Sequence, residues 1–188
     1  MKKIILLLIA GVLFLTSCGS KSVSPDSTKI SSSAAEATTA PQTEPEFVEK
    51  TFKELSISVP KTWRLNKNEK ELYTFFIDGD KSNTFSILVL EDYGTYTDDD
   101  FDTLLDTAVE QGGMKEIERK NTEIYYSDAK YILLEGNIEG IPVKEKVFAI
   151  DGIYHDYMIT ELAAKEDFNE AFEYEQDILD SIELDIDD

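Results

Sequence analysis

From residue 115 to residue 161 the chain alternates strand-like runs with links too short to hold a crossover, which restricts its fold more than any other feature. The runs are 115–119 continuing through 122–126, then 129–137, 142–149 and 153–161. Parallel neighbours need a connection of about a dozen residues or more, so these strands must pair antiparallel. Glu139-Gly140 and Asp151-Gly152 sit between the later runs, and the second is a type I′ hairpin signal. Upstream, Leu55-Ser56-Ile57-Ser58-Val59 alternates strictly and gives a strand with one apolar face, stopped by Pro60. Leu72–Ile77 and Thr84–Leu90 are further strand-like runs around DGDKSN, where Asp78-Gly79 signals a hairpin.

Two segments carry a helical period instead. In TDDDFDTLLDTAVEQGG, Thr97 or Asp98 is the candidate N-cap and Gly112-Gly113 the stop. Phe101, Leu104, Leu105, Ala108 and Val109 form its apolar stripe, and the acidic residues favour the positive end of the helix dipole. The second segment carries Phe168, Ala171, Phe172, Ile178, Leu179 and Ile182 on one face, interrupted only by Glu175. The predicted order is β-β-β-α-β-β-β-β-α. Helices that bury one face each against such a sheet give an α+β domain, an antiparallel β-sheet flanked by helices.

The N-terminus is a separate problem. Lys2 and Lys3 precede an uncharged apolar run from Ile4 to Leu15, twelve residues. As a helix it would be about 18 Å long. A bilayer core is roughly 30 Å thick, so the run fits the apolar part of a secretory signal better than a membrane span. Leu15-Thr16-Ser17-Cys18 resembles the bacterial lipobox, an aliphatic residue and two small ones before a cysteine. The resemblance implies that Cys18 is alkylated with diacylglycerol, that signal peptidase recognises Leu15, Thr16 and Ser17, and that cleavage leaves Cys18 as the lipidated first residue. Cys18 is the only cysteine, so an internal disulfide is impossible and no cysteine-built metal site exists.

The expected organisation is therefore a signal peptide (1–17), a lipidated cysteine and disordered tether (18–46), a domain (47–184) and an acidic tail (185–188). Residues 19–46 are rich in Ser, Thr, Ala and Pro, lack aromatic residues, and bury too little apolar surface to offset ordering entropy. All nine tyrosines and the single Trp63 lie beyond residue 46. Residues 46–188 hold 36 acidic and 14 basic residues. Nucleic-acid binding starts from a basic surface, so nucleic acid is an unsuited partner.

The stretch FKELSISVPKTW (52–63), the helix after the third strand, the meander KYILLEGNIEGIPVKEKVFAIDGIYHDYMIT and the closing ILDSIEL (178–184) together look like the PsbP-like superfamily. Its founding member is an extrinsic protein of photosystem II, and its relatives include bacterial lipoproteins of the DcrB type. The resemblance covers nearly all of 47–184. It implies an α/β/α sandwich and a binding or assembly role without catalysis. No family site residue maps onto this chain, and a photosystem role does not carry over.

The search for chemistry finds little. His155, the only histidine, falls in a predicted strand on a face with Ile153 and Tyr157, while Asp156 points to the other face. No nucleophile or orienting partner is evident beside it. No GxSxG, HExxH, GxGxxG or P-loop pattern occurs. Asp78-Gly79-Asp80 starts like a calcium loop, but Asn83 and Val89 occupy the positions that need Gly and Glu. Asp98-Asp99-Asp100 suits a helix start better than a metal. Asp185-Ile186-Asp187-Asp188 reads as a frayed tail. Pro60 and Trp63 have a packing explanation: the proline ends a strand and the indole folds back over the sheet. Tyr93, Tyr96, Tyr125 and Tyr126 fall near turns, where exposed tyrosines can form a recognition surface, but tyrosines also fill half-buried strand positions, and packing is their expected role.

These readings imply no enzyme, no metal and no cofactor. They point to a lipid-anchored, extracytoplasmic module of a bacterial envelope. Its partners would be the membrane, through the N-terminal lipid, and an envelope protein. The alternative is a small-ligand or metal-binding receptor lipoprotein with a pocket between sheet and helix.

Overall fold

The computed structural model describes residues 45–67, 71–77, 79–90 and 98–185. Leu15, Thr16, Ser17 and Cys18, the expected tether through residue 44, Asp78 of the hairpin signal, Tyr93, Tyr96, the candidate N-cap Thr97 and the last three residues lie outside this set. The described residues belong to one compact unit spanning 45–188.

The elements run β1 (Phe47–Phe52), β2 (Leu55–Pro60), β3 (Arg64–Lys67), β4 (Leu72–Ile77), β5 (Asp80–Leu90), α1 (Asp98–Gly112), β6 (Lys115–Ile124), β7 (Ser127–Ile138), β8 (Ile141–Ile150), β9 (Asp156–Ala164), α2 (Phe168–Ala171), α3 (Glu175–Asp180) and β10 (Glu183–Leu184). They form a seven-stranded sheet ordered β3-β4-β5-β9-β8-β7-β6 and a three-stranded sheet ordered β1-β2-β10. Every strand pair is antiparallel. The expected antiparallel sheet with flanking helices is present, with a second sheet added.

Period-two alternation assigns each side chain of the large sheet to a face. One face carries Phe75, Ile77, Phe85, Ile87, Val89, Tyr131, Phe148, Ile150, Tyr157 and Ile159, all in the main core. The small sheet closes over them with Leu55, Ile57 and Val59, the three apolar positions of the alternating strand. Phe168, Phe172, Ile178 and Ile182 of the C-terminal segment complete the layer. Trp63 packs there as expected, its ring 5.3 Å from Phe85 and 6.3 Å from Phe75. Its amide donates to the Pro60 carbonyl in the turn that brings it back. On the opposite face α1 covers β7 and β8 with Phe101, Leu104, Leu105 and Ala108. Asp102 fixes the helix by accepting hydrogen bonds from Lys130 at 2.8 Å and Arg119 at 3.2 Å.

Four expectations change. β1, β3 and β10 do not announce themselves in the sequence, because FVEKTF and RLNK lack strict alternation and β10 is two residues long. The final helix is two short helices parted by a turn at 172–174, although its apolar face survives across the break. Asp151-Gly152 is not a two-residue hairpin. β8 ends at Ile150 and β9 starts at Asp156, so the link has five residues. Gly152 is needed there for space, since a Cβ would lie 1.9 Å from the His155 carbonyl oxygen. Finally, Glu46, placed in the tether by composition, accepts the Lys61 amide at 2.7 Å and pairs with its ammonium group.

The two-residue turns are of unequal fitness. Glu139-Gly140 joins β7 to β8 with φ of 53° and 90°, the type I′ arrangement. The β6–β7 turn has the same arrangement, but its residues are Tyr125 and Tyr126, with φ of 49° and 61°. A bulky residue in the left-handed region is strained by roughly 1 kcal/mol or more.

Candidate functional site

His155 lies in the β8–β9 link, before β9 begins, rather than inside a strand. Its Nδ1 is 2.7 Å from Oε2 of Glu54, a residue of the β1–β2 turn. Glu54 also accepts the backbone amides of Tyr154 at 3.1 Å and His155 at 2.7 Å. Its own carbonyl accepts the Asp185 amide, which fastens the end of β10. Burial opposes ionisation of Glu54, but these hydrogen bonds outweigh it and hold the carboxyl below its ordinary range. The histidine thus has the partner that sequence could not supply. The arrangement is a clamp between the two sheets, and Glu54 makes it by taking three donors at once. Asp156, next in the chain, is fully buried; burial first, then the charge of Asp151, raises its pKa to about 6.

Among the described residues an open feature lies elsewhere, between α3 and strands β6, β7 and β8. It is a groove of about 630 Å³. Its floor holds Lys120 and Thr122 from β6, Tyr131 from β7, and Lys146 and Phe148 from β8. Gln176, Leu179 and Asp180 of α3 make the wall, and the Tyr125-Tyr126 turn stands at one end. The floor is ordered by its own contacts. The Tyr131 hydroxyl donates to Glu118 at 2.7 Å, and the ammonium groups of Lys120 and Lys146 lie 4.7 and 5.7 Å from the Tyr131 ring centre. Lys146 is also ion-paired with Glu175. That pair lines both this groove and a second hollow of about 320 Å³ beside Phe168 and Phe172. It therefore forms the partition between them.

Behind the partition is Glu161. It sits opposite Lys146 in the β8–β9 register, on the same face as Tyr157 and Ile159. It is fully buried, and neither carboxyl oxygen has a hydrogen-bond partner among the described residues. Burial, reinforced by the nearby Glu175 charge, pushes its pKa well up, and Lys146 only partly offsets this. Glu145, on the other face of β8, is raised to about 7 by burial alone.

Sequence reasoning expected Tyr125 and Tyr126 to pack and named no ligand-binding residue, although it passed close to one part of this site. Glu175 was the single interruption in an apolar face, and it is the residue that turns toward Lys146. Glu161 had an equivalent signal, an acid in register with Tyr157, Ile159 and Ala163. Tyr126 is 91% exposed and Tyr125 41%, so packing does not explain them. Of the calcium-like start Asp78-Gly79-Asp80, Asp78 lies outside the described residues, and the Asp80 carboxylate accepts the Ser82 amide and hydroxyl. Among the described residues no group of three or more His, Cys, Asp or Glu side chains is placed to hold a metal ion.

No protein-family model matches the sequence, and no curated protein matches it significantly. Solved structures do. Cyanobacterial PsbP (CyanoP) from Synechocystis aligns with a TM-score of 0.57 at 8% identity, over 79% of this chain and 98% of that one. A protein of Bacteroides thetaiotaomicron aligns with a TM-score of 0.52 at 12% identity, over 76% of this chain, which spans about half of that protein's length (49%). LpqN of Mycobacterium tuberculosis, described as involved in cell envelope biogenesis, gives 0.49 at 9% identity, over 74% and 91% of the two chains. The domain has the PsbP-like α+β fold.

Proposed function

We propose that the chain is a lipid-anchored binding module of a bacterial envelope, similar in plan to the DcrB-type lipoproteins. Cys18 carries the lipid, residues 19–44 form the tether, and the domain from Pro45 presents the groove between α3 and β6–β8. The module works by binding, without catalysis. Its partner on the membrane side is the bilayer itself, and the groove receives a second, extracytoplasmic partner. Each buried lipid CH₂ contributes roughly 0.8 kcal/mol, and two or more chains give stable anchoring.

The observation that carries the binding reading is the groove. Its volume of about 630 Å³ lies within the usual range for ligand sites, roughly 300–1,000 Å³, and polar and aromatic side chains converge on it. A groove of this size between sheet and helix supports a soluble-ligand reading beside the protein-assembly role. The address rests on LTSC and the apolar run before it. Among the described residues no helix is long and apolar enough to cross a membrane.

Anchoring is tested by Cys18→Ala in a bacterial host fed labelled palmitate. The expected outcome is loss of label from the chain and either an unprocessed precursor or release from the membrane fraction. Unchanged labelling, processing and membrane retention would defeat the lipoprotein reading.

A further inference from the structure

The β6–β7 turn is built from the wrong residues for its shape. A two-residue turn with positive φ at both positions favours Asn-Gly, whose second residue has no Cβ to clash. This chain places Tyr125 and Tyr126 there, at φ of 49° and 61°. The strain is not repaid by burial, since Tyr126 is 91% and Tyr125 41% exposed. Strain of this kind persists where the residues have a use outside the fold.

That use is indicated by what the rings border. They stand 5.8 Å apart, inclined by 59°, at the end of the groove. Beyond them the groove is lined by polar groups: the hydroxyl of Thr122, the Gln176 amide, which donates to Asp180 at 2.7 Å, and the Lys120 ammonium, which pairs with Glu118 at 3.5 Å. Its lining sets Glu123, Glu175, Asp180 and Glu183 against Lys120 and Lys146, an excess of acids that disfavours an anionic ligand. An extended peptide would gain most from a main-chain ladder along a free strand edge. The groove lies over a sheet face, where only side chains are offered. The free edge, β6, is charged and carries a register shift between Glu116 and Glu118, features that discourage strand addition.

We infer that the groove binds an uncharged saccharide chain, with Tyr125 and Tyr126 as its stacking platform. An aromatic face carries negative quadrupole density, which attracts the slightly positive C–H face of a pyranose ring. The ring spacing is comparable to one residue of an extended β-1,4-linked glycan, and the polar wall meets the hydroxyl and acetamido groups on the rims. This inference rests on the groove being the ligand site, as proposed above.

The test uses the full-length chain in detergent, titrated calorimetrically with chitotetraose, cellotetraose and, separately, a decaproline peptide. The comparison protein is the double variant Tyr125→Asn, Tyr126→Gly. The expected result is millimolar or tighter binding of at least one tetrasaccharide, weakened at least tenfold in the double variant, while the melting temperature rises by roughly 3–6 °C as strain is relieved. A merely structural role for the tyrosines predicts the opposite, a lower melting temperature. Decaproline binding that the variant abolishes, with both saccharides silent, would overturn the saccharide inference and leave the groove as the site. Saccharide binding unaffected by the variant would overturn the stacking platform. Silence of all three probes would overturn the inference and remove the support the groove gives to a binding role.

Discussion

Glu54→Ala lowers the stability of the domain by about 3 kcal/mol, a fall of roughly 10 °C in melting temperature. The size follows from what one carboxylate does. Its side chain is 8% exposed and accepts two backbone amides and the His155 ring nitrogen. Hydrogen bonds to a charged acceptor contribute about 1.5–3 kcal/mol each, and water replaces part of what is lost at the half-buried donors. Glu54→Gln keeps one acceptor oxygen and should fall about midway. His155→Ala removes a single bond and should cost about 1 kcal/mol. The pH dependence has a definite sign. The folded-state pKa of Glu54 is lowered, so its contribution is complete above the ordinary value of 4.5 and is lost as pH falls through the depressed value. The gap between wild type and Glu54→Ala should close in acid. Melts within about 2 °C of each other at pH 7 would mean that the β8–β9 link is held by other contacts.

Glu161→Leu should act in the other direction and raise stability by about 2–3 kcal/mol at pH 8. Among the described residues neither oxygen of the buried Glu161 carboxyl has a hydrogen-bond partner in the geometry shown, and its nearest acidic neighbour, Glu175, favours its protonated form, in which the two carboxyls can share a proton. Removing an unsatisfied buried group of similar volume recovers its desolvation cost, and the Lys146–Glu175 pair remains to neutralise itself. The linkage again fixes the sign. A carboxyl whose folded-state pKa is raised contributes stability that is complete below its unfolded value and is lost as pH rises through the folded one. Glu161 is raised well above 4.5, Glu145 to about 7, and Asp156 from 3.8 to about 6. Wild-type stability should therefore decline between about pH 4.5 and 7. Glu161→Leu should show a shallower decline and its largest advantage at the alkaline end. Paired thermal melts at pH 5 and pH 8 decide this; a variant less stable than wild type at pH 8 would show that Glu161 has a partner that matters more than its burial.

The elements that could be read from sequence are those whose pattern repeats over several turns or strands. α1 declares itself through Phe101, Leu104, Leu105 and Ala108 and stops at Gly113, which takes a φ of 60°. β2 declares itself through the strict alternation from Leu55 to Val59. The small sheet as a whole does not. Its outer strands border β2 only because Phe52–Leu55 forms a tight turn and because Leu184 returns from the far end of the chain. Neither is a local property. The site has the same division. Tyr125 and Tyr126 were conspicuous as tyrosines beside a turn, whereas the positive φ that makes them informative is a backbone fact. Lys146, Glu161 and Glu175 come from three elements, and only the register of β8 on β9 and the seating of α3 bring them together. His155 was misplaced because Gly152 looked like a hairpin residue, while its role is to leave room for the His155 carbonyl.

The three-stranded sheet joins the two ends of the domain: β1 and β2 open it, and β10 closes it with Glu183 on Ser56 and Leu184 on Leu55. A ribosome delivers the first pair early and the last strand only when translation of the domain is almost finished. Until then Leu55 lacks its partner strand, and the carbonyl of Glu54 lacks the Asp185 amide. Closure across so long a stretch of chain is slow compared with local hairpins. β10 therefore pairs last, and the small sheet is completed only after the rest of the domain has been synthesised.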